Sequence, residues 1–203
     1  MEMTDIENLL REISSGSPAP GGGSVAALSG CFGSALVSMV CKLSIGKKKY
    51  KEIENELKEV LSEAEALREE LLKLSKEDVE AFNEVIAALK ISDEKEKKKG
   101  VQTAYKRAAD VPFKVSKKCL RVMELAEFTT SKGNQNALTD SAVAALMAYS
   151  GLKGAVLNVR VNLKHIDDEN FKSDVRNKIV SLEKSAEKVF KAIIGGVESS
   201  FSS

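Results

Sequence analysis

From Ile13 to Cys41 the chain carries no charged side chain, whereas Lys42 to Lys99 is dense with them. An uncharged run of this length has to be buried, and the segment SVAALSGCFGSALVSMVCKLSIG is long enough to raise the question of a membrane span, which needs about 20 apolar residues. Ser24, Ser29, Gly30, Gly33, Ser34 and Ser38 make it only weakly hydrophobic, and the glycines before it are not the flank of an anchor. A central helix of a soluble bundle is the expectation. Gly30 and Ser34, four residues apart, put small side chains on one face and let a neighbouring helix come close.

The 203 residues suffice for a single domain, residues 1–203, with its own core. With 31 basic and 30 acidic side chains the formal charge is +1, so no field of one sign is available to hold nucleic acid. Neither a nucleic acid nor a membrane is expected as a partner. Three widely spaced cysteines (Cys31, Cys41, Cys119) and one histidine, His165, offer neither a disulfide framework nor a metal site. Acid–base work would therefore fall largely on carboxylates, lysines or amides. The polar, acidic start MEMTDIENLLRE has no apolar block with a cleavage site, which points to the cytoplasm.

Between Lys51 and about Lys90 the apolar residues recur at threes and fours, a helix period. A break is expected near Leu74-Ser75-Lys76. Residues 91 to 100 (ISDEKEKKKG) form a charge cluster expected to be a solvated connection. Helical spacing resumes from Val101 to Glu127, with a kink expected at Pro112 and a left-handed cap at Gly133. A second weakly charged helix, about 136 to 163, and an amphipathic one, about Asp168 to Val197, complete the chain. No stretch shows strand alternation. The expected fold is all-α, a multi-helix bundle whose two small-residue-rich helices (24–44 and 136–163) lie inside the amphipathic ones. Those two helices also offer close-packing faces to a second copy, so a homodimer is expected.

Four stretches can carry chemistry. PAPGGGS, residues 18 to 24, sets Gly21, Gly22, Gly23 and Ser24 before a helix, where bare backbone N–H groups can cradle an anion or a flat polar ligand; a tight turn is the structural alternative. GKKKY, residues 46 to 50, gathers Lys47 and Lys48 beside a tyrosine, either as a solvated loop or as a site for an acidic tail. In GNQNALTDSAVAAL, residues 133 to 146, Asn134, Gln135, Asn136, Thr139 and Asp140 crowd the start of an apolar helix, more polar groups than capping needs. Asn158 and Asn162 share a face of that helix about 27 Å or more from Asp140, and interior hydrogen bonding is their expected role. DVEAF puts Asp78 and Phe82 on one helix face.

PAPGGGSVAALSG, IGKKKY, DVEAF, AADVPF, NALTDSAVAALMA and GAVLNVRVNL, in this order across residues 18 to 163, resemble the cyclodeaminase/cyclohydrolase family of folate one-carbon enzymes. Its members occur as the C-terminal domain of formiminotransferase-cyclodeaminase and as stand-alone bacterial proteins. The resemblance implies an all-helical homodimer acting on a tetrahydrofolate derivative, with or without a polyglutamate tail. It implies no metal and no cofactor beyond that substrate. Members close 5-formiminotetrahydrofolate to 5,10-methenyltetrahydrofolate with loss of ammonia, or interconvert 5,10-methenyl- and 10-formyltetrahydrofolate. On this resemblance Asp140 is the carboxylate that faces the cationic carbon and shuttles protons. Lys47 is the complementary donor, and Gln102, which matches no motif, orients water or ammonia. Asp78 and Phe82 bind and stack on the pterin, Gly21 to Ser24 let it approach, and Lys48 meets the glutamate tail. Asn134, Asn136 and Thr139 complete the expected substrate contacts. No formiminotransferase segment accompanies the match, which turns the expectation toward the cyclohydrolase. A non-catalytic helical dimerisation scaffold, or a folate binder without activity, are the competing expectations.

Overall fold

In a computed structural model, residues 4–201 are described. Residues 1–3 and 202–203, the ends of the expected single domain, lie outside them. Six α-helices follow one another: α1 (Thr4–Ser14), α2 (Gly22–Ser44), α3 (Glu54–Leu89), α4 (Glu94–Lys132), α5 (Leu138–Leu163) and α6 (Glu169–Phe201), with 3-10 turns at Lys48–Ile53 and Gln135–Ala137. Among the described residues there is no strand. The all-α bundle read from the sequence is the observed architecture.

The centre is made by α2 and α5. Helix α2 packs on α3, α4 and α5, and α5 packs on α2, α4 and α6. Gly22 of α2 faces Asn158 near the end of α5, while Ser44 at the other end of α2 accepts a hydrogen bond from the Asn134 N–H, 3.0 Å, before α5 begins. The two helices are therefore antiparallel. Their small residues permit the approach: a Cβ on Gly33 would stand 2.7 Å from the Ala144 carbonyl oxygen, and one on Gly151 2.6 Å from that of Ala26. Ser34, on the face shared with Gly30, donates its hydroxyl to the Ala64 carbonyl of α3 at 2.5 Å. Both segments, Gly22–Ser44 and Gln135–Leu163, are long and apolar enough to cross a membrane by length and composition, yet 61% and 50% of their most apolar windows are buried inside the bundle.

Several boundaries differ from the sequence expectations. Helix α3 runs unbroken through Leu74-Ser75-Lys76, because Leu71 and Leu74 are buried and the Ser75 hydroxyl folds back on the Leu72 carbonyl, 2.8 Å. The charge cluster is mostly helix: Asp93 caps α4 by accepting from the Glu96 N–H, and Glu94 and Glu96 sit at the positive helix end. Helix α4 continues through Pro112 to Lys132. Gly133 ends it in an extended conformation, φ −76°, not the left-handed one. Its small size serves contact, since a Cβ there would meet the Thr129 carbonyl oxygen at 2.5 Å and Val40 at 3.0 Å. Helix α1 was not foreseen.

Candidate functional site

The start of α2, the C-terminal part of α3, the N-terminal part of α4 and the end of α5 enclose a cavity of about 360 Å³. That volume lies in the range of small-molecule sites. Gly21, Gly22 and Gly23 form one wall, Asp78 and Phe82 a second, and Tyr105, Asn158, Asn162 and His165 the opposite side. The glycine turn is threaded between two polar side chains: a Cβ on Gly23 would meet Asp78, and one on Gly22 would stand 3.6 Å from Asn158 Nδ2.

Asp78 belongs to α3 but serves α2. The Ser24 hydroxyl donates to Asp78 Oδ2 at 3.0 Å, and the Ser24 backbone N–H also bonds the carboxylate. Ser24 is in the first turn of α2, so a carboxylate from a neighbouring helix answers its unpaired N–H groups and positive dipole end. Burial pushes the Asp78 carboxyl above its ordinary pKa, against the two Ser24 hydrogen bonds, which pull it down. A half-buried carboxylate so placed is a proton acceptor and a partner for positive charge.

Across the cavity the Tyr105 and His165 rings are stacked, centroids 4.6 Å apart. Gln102 braces this corner: its Nε2 donates to the His165 carbonyl, 3.0 Å, and its Oε1 accepts from the Asp167 N–H, 2.7 Å. Both ends of its carboxamide are thus engaged by backbone.

The other expected site residues lie at the far end of the bundle. Gly22 and Ser44, the two ends of α2, are 22 residue steps apart, about 33 Å at the helical rise, and Lys47 and Lys48 follow, exposed. Asn134 Nδ2 donates to the Leu43 carbonyl, 3.0 Å, and its Oδ1 accepts from the Asn136 N–H, 3.1 Å. The Gln135 N–H donates to the Tyr50 hydroxyl, 3.4 Å. These amides tie the start of α5 to the end of α2. Asn136 and Thr139 are exposed and Asp140 partly so. Within one chain the structure gathers Gly21 to Gly23, Asp78 and Phe82 at the cavity, sets the buried Ser24 behind them on Asp78, braces the site with Gln102, and leaves Asp140, Lys47, Lys48, Asn134, Asn136 and Thr139 away from it.

Tyr105 and His165 were not foreseen as cavity residues. Their signals, a lone tyrosine on a charged helix and the one histidine of the chain, become meaningful only once α4 and α5 are side by side. Asn158 and Asn162 make the expected interior hydrogen bonds, Asn158 Nδ2 to the Gly154 carbonyl and Asn162 Nδ2 to the Ala108 and Asn158 carbonyls, and they line the cavity as well. The cysteines are not candidates. Burial pushes the Cys31 and Cys41 thiols up to about 11 and that of Cys119 higher still, which keeps them protonated. Among the described residues no three His, Cys, Asp or Glu side chains cluster to hold a metal.

Residues 5–181 match the family model described as formiminotransferase-cyclodeaminase. The chain belongs to that family. Within it, the methenyltetrahydrofolate cyclohydrolase of Methylorubrum extorquens is 47% identical over 171 residues, 82% of each chain. The formimidoyltransferase-cyclodeaminase of Rattus norvegicus is 30% identical over 95% of this chain, but the match spans only 37% of the rat protein. A crystal structure of formiminotetrahydrofolate cyclodeaminase from Thermotoga maritima superposes with a TM-score of 0.90, 30% identity and 96% of each chain covered. The helical bundle described above is thus the fold of a solved family member.

Proposed function

We propose that this chain is a folate one-carbon enzyme acting on a tetrahydrofolate whose single carbon bridges N5 and N10. The cyclohydrolase reaction is the favoured one, because the 47% identical relative carries that name and is matched over most of its own length. Water adds to the cationic bridging carbon of 5,10-methenyltetrahydrofolate and gives up one proton; the C–N5 bond of the resulting hydroxyl adduct then breaks as N5 takes up a proton and the hydroxyl loses its own, leaving 10-formyltetrahydrofolate. The cyclodeaminase reaction is the second reading, supported by the name of the Thermotoga maritima structure. There N10 attacks the formimino carbon and gives up its proton, and the tetrahedral adduct, which carries an amino group where the hydrated one carries a hydroxyl, loses ammonia once that group is protonated, leaving the 5,10-methenyl cation.

One observation carries the reading: a half-buried carboxylate whose pKa burial raises, Asp78, faces a 360 Å³ cavity beside the Phe82 ring and the glycine turn. In this reading the pterin lies against Phe82, the turn lets it approach the backbone, and Asp78 faces the cationic carbon and takes the proton from water. No metal or further cofactor is invoked, and the protein is read as soluble and cytoplasmic.

We also propose a homodimer. Phe32 and Met39 on α2 and Val143 and Leu157 on α5 are large apolar side chains left exposed, Phe32 at 53% and Leu157 at 64%. These flank the antiparallel pair, and a second copy covering them removes the patch from water. If the two-fold axis crosses the helices, the far end of one copy meets the cavity of the other. Asp140 as proton shuttle, Lys47 as donor and Lys48 at a glutamate tail would then act in the second copy's site, with Asn134, Asn136 and Thr139 beside them.

The test follows the absorbance of 5,10-methenyltetrahydrofolate, as loss of added compound and as its formation from 5-formiminotetrahydrofolate, for wild type, Asp78→Asn and Asp140→Asn. Turnover abolished in Asp78→Asn supports the cavity as the site. No turnover by folded wild type in either direction overturns the enzymatic reading in favour of a binder or scaffold. Mixing two inactive variants, Asp78→Asn and Asp140→Asn, restores up to about a quarter of the activity if each site draws on both copies, and none otherwise.

A further inference from the structure

Pro112 lies within α4 and has no N–H to give the carbonyl four residues earlier, that of Ala108. Asn162 supplies the missing donor from α5, its Nδ2 lying 2.7 Å from the Ala108 oxygen and 3.0 Å from the Asn158 carbonyl oxygen. Both amide hydrogens of Asn162 are thereby committed to carbonyls. A flipped amide would set oxygen against two oxygens, so the orientation is not interchangeable. Asn162 and Ala108 both line the cavity, and no protein donor among the described residues engages Asn162 Oδ1.

We infer that Pro112 orients Asn162, so that Asn162 Oδ1 stands as a fixed hydrogen-bond acceptor in the cavity, opposite Asp78, for an N–H edge of the ligand's heterocyclic head. The inference rests on the folate reading and assigns this position to the part of the substrate that does not react. Asn162 is a binding residue and Pro112 a positioning residue acting through it. The energetic logic is that of preorganisation: an amide already held in place loses little rotamer freedom when the ligand arrives. The acceptor contacts ground and transition state alike, so its loss is read in KM and Kd more than in kcat.

The test measures Kd for 5,10-methenyltetrahydrofolate by equilibrium dialysis, with kcat and KM, for Asn162→Leu, Pro112→Ala and the double variant, each with a melting curve. Asn162→Leu is expected to raise Kd and KM about tenfold, the effect of losing roughly 1.4 kcal/mol of hydrogen bonding, with kcat changed less. Pro112→Ala restores an N–H that competes for the Ala108 carbonyl and frees Asn162 to rotate. It is expected to raise KM about threefold while Tm stays level or rises, and to add nothing in the Asn162→Leu background. A general packing defect would lower Tm and add in full. An unchanged KM in Pro112→Ala, or full additivity, overturns the coupling. Should Pro112→Ala fail to fold, Asn162→Leu decides alone, an unchanged KM overturning the acceptor role. Asp78→Asn separates the two levels: if it and Asn162→Leu both bind folate as wild type does, the cavity reading itself fails.

Discussion

Asp78 of α3 fills the space in which a side chain on residue 23 would begin, a Cβ on Gly23 standing 2.6 Å from Asp78 Cγ. One helix lends its carboxylate to the start of another, and the glycine is what makes room. Gly23→Ala is therefore expected to push Asp78 off Ser24 and lower kcat/KM at least tenfold. Gly22→Ala, whose Cβ would make an ordinary 3.6 Å contact with Asn158 Nδ2, is expected to cost less than threefold. Steady-state kinetics of the two variants side by side checks the contrast.

Asp78→Asn separates activity from stability. Activity is expected to fall by about 10² or more, the usual effect of removing a proton acceptor, while the Ser24 hydroxyl keeps an oxygen to donate to. Because the folded state raises the Asp78 pKa, the native protein binds that proton more tightly than the unfolded chain. The stability this contributes is present below the unfolded value, about 3.9, and is lost as pH rises through the folded one. The variant should thus melt at or above wild type at pH 7, its advantage vanishing toward pH 3. Thermal melts across that range check the sign.

Gly33 and Gly151 set the spacing of α2 and α5. A methyl group at either would stand less than 3 Å from a carbonyl of the facing helix, and rigid backbone cannot yield as a side chain tip can. Gly33→Ala and Gly151→Ala are each expected to cost about 1–3 kcal/mol, measured by denaturant unfolding. Gly195→Ala, where nothing lies within 4 Å, is expected to be neutral or slightly stabilising, since glycine is the poorer helix former.

Gln102 holds the corner between α5 and α6 by its two backbone hydrogen bonds. Gln102→Ala is expected to destabilise by about 1 kcal/mol and to raise KM severalfold, because His165 and Tyr105 lose their brace, with kcat within about twofold. A Gln102 that oriented the attacking water would instead show its loss in kcat. The split between the two constants distinguishes the roles.

Much of the architecture is written along the chain. An uncharged run of small residues, apolar side chains at threes and fours, and a triple glycine before the first long helix are local properties, and they determine helices, the buried pair and the turn. Residue periodicity says which face of a helix is buried; it does not say which helix will lie on it, or in which direction. That is why Asp78 and Gly23, 55 positions apart, could be recognised separately but not as neighbours, and why Asp140 looked no less central than Asp78. The antiparallel docking of α2 and α5 decided that Asn158 and Asn162, not Asn134 and Asp140, share the cavity with the glycine turn in one chain. Likewise Pro112 could be read as a missing donor, but only packing shows that Asn162 of another helix supplies it, because a carbonyl left free by proline accepts whatever donor tertiary contact brings within reach.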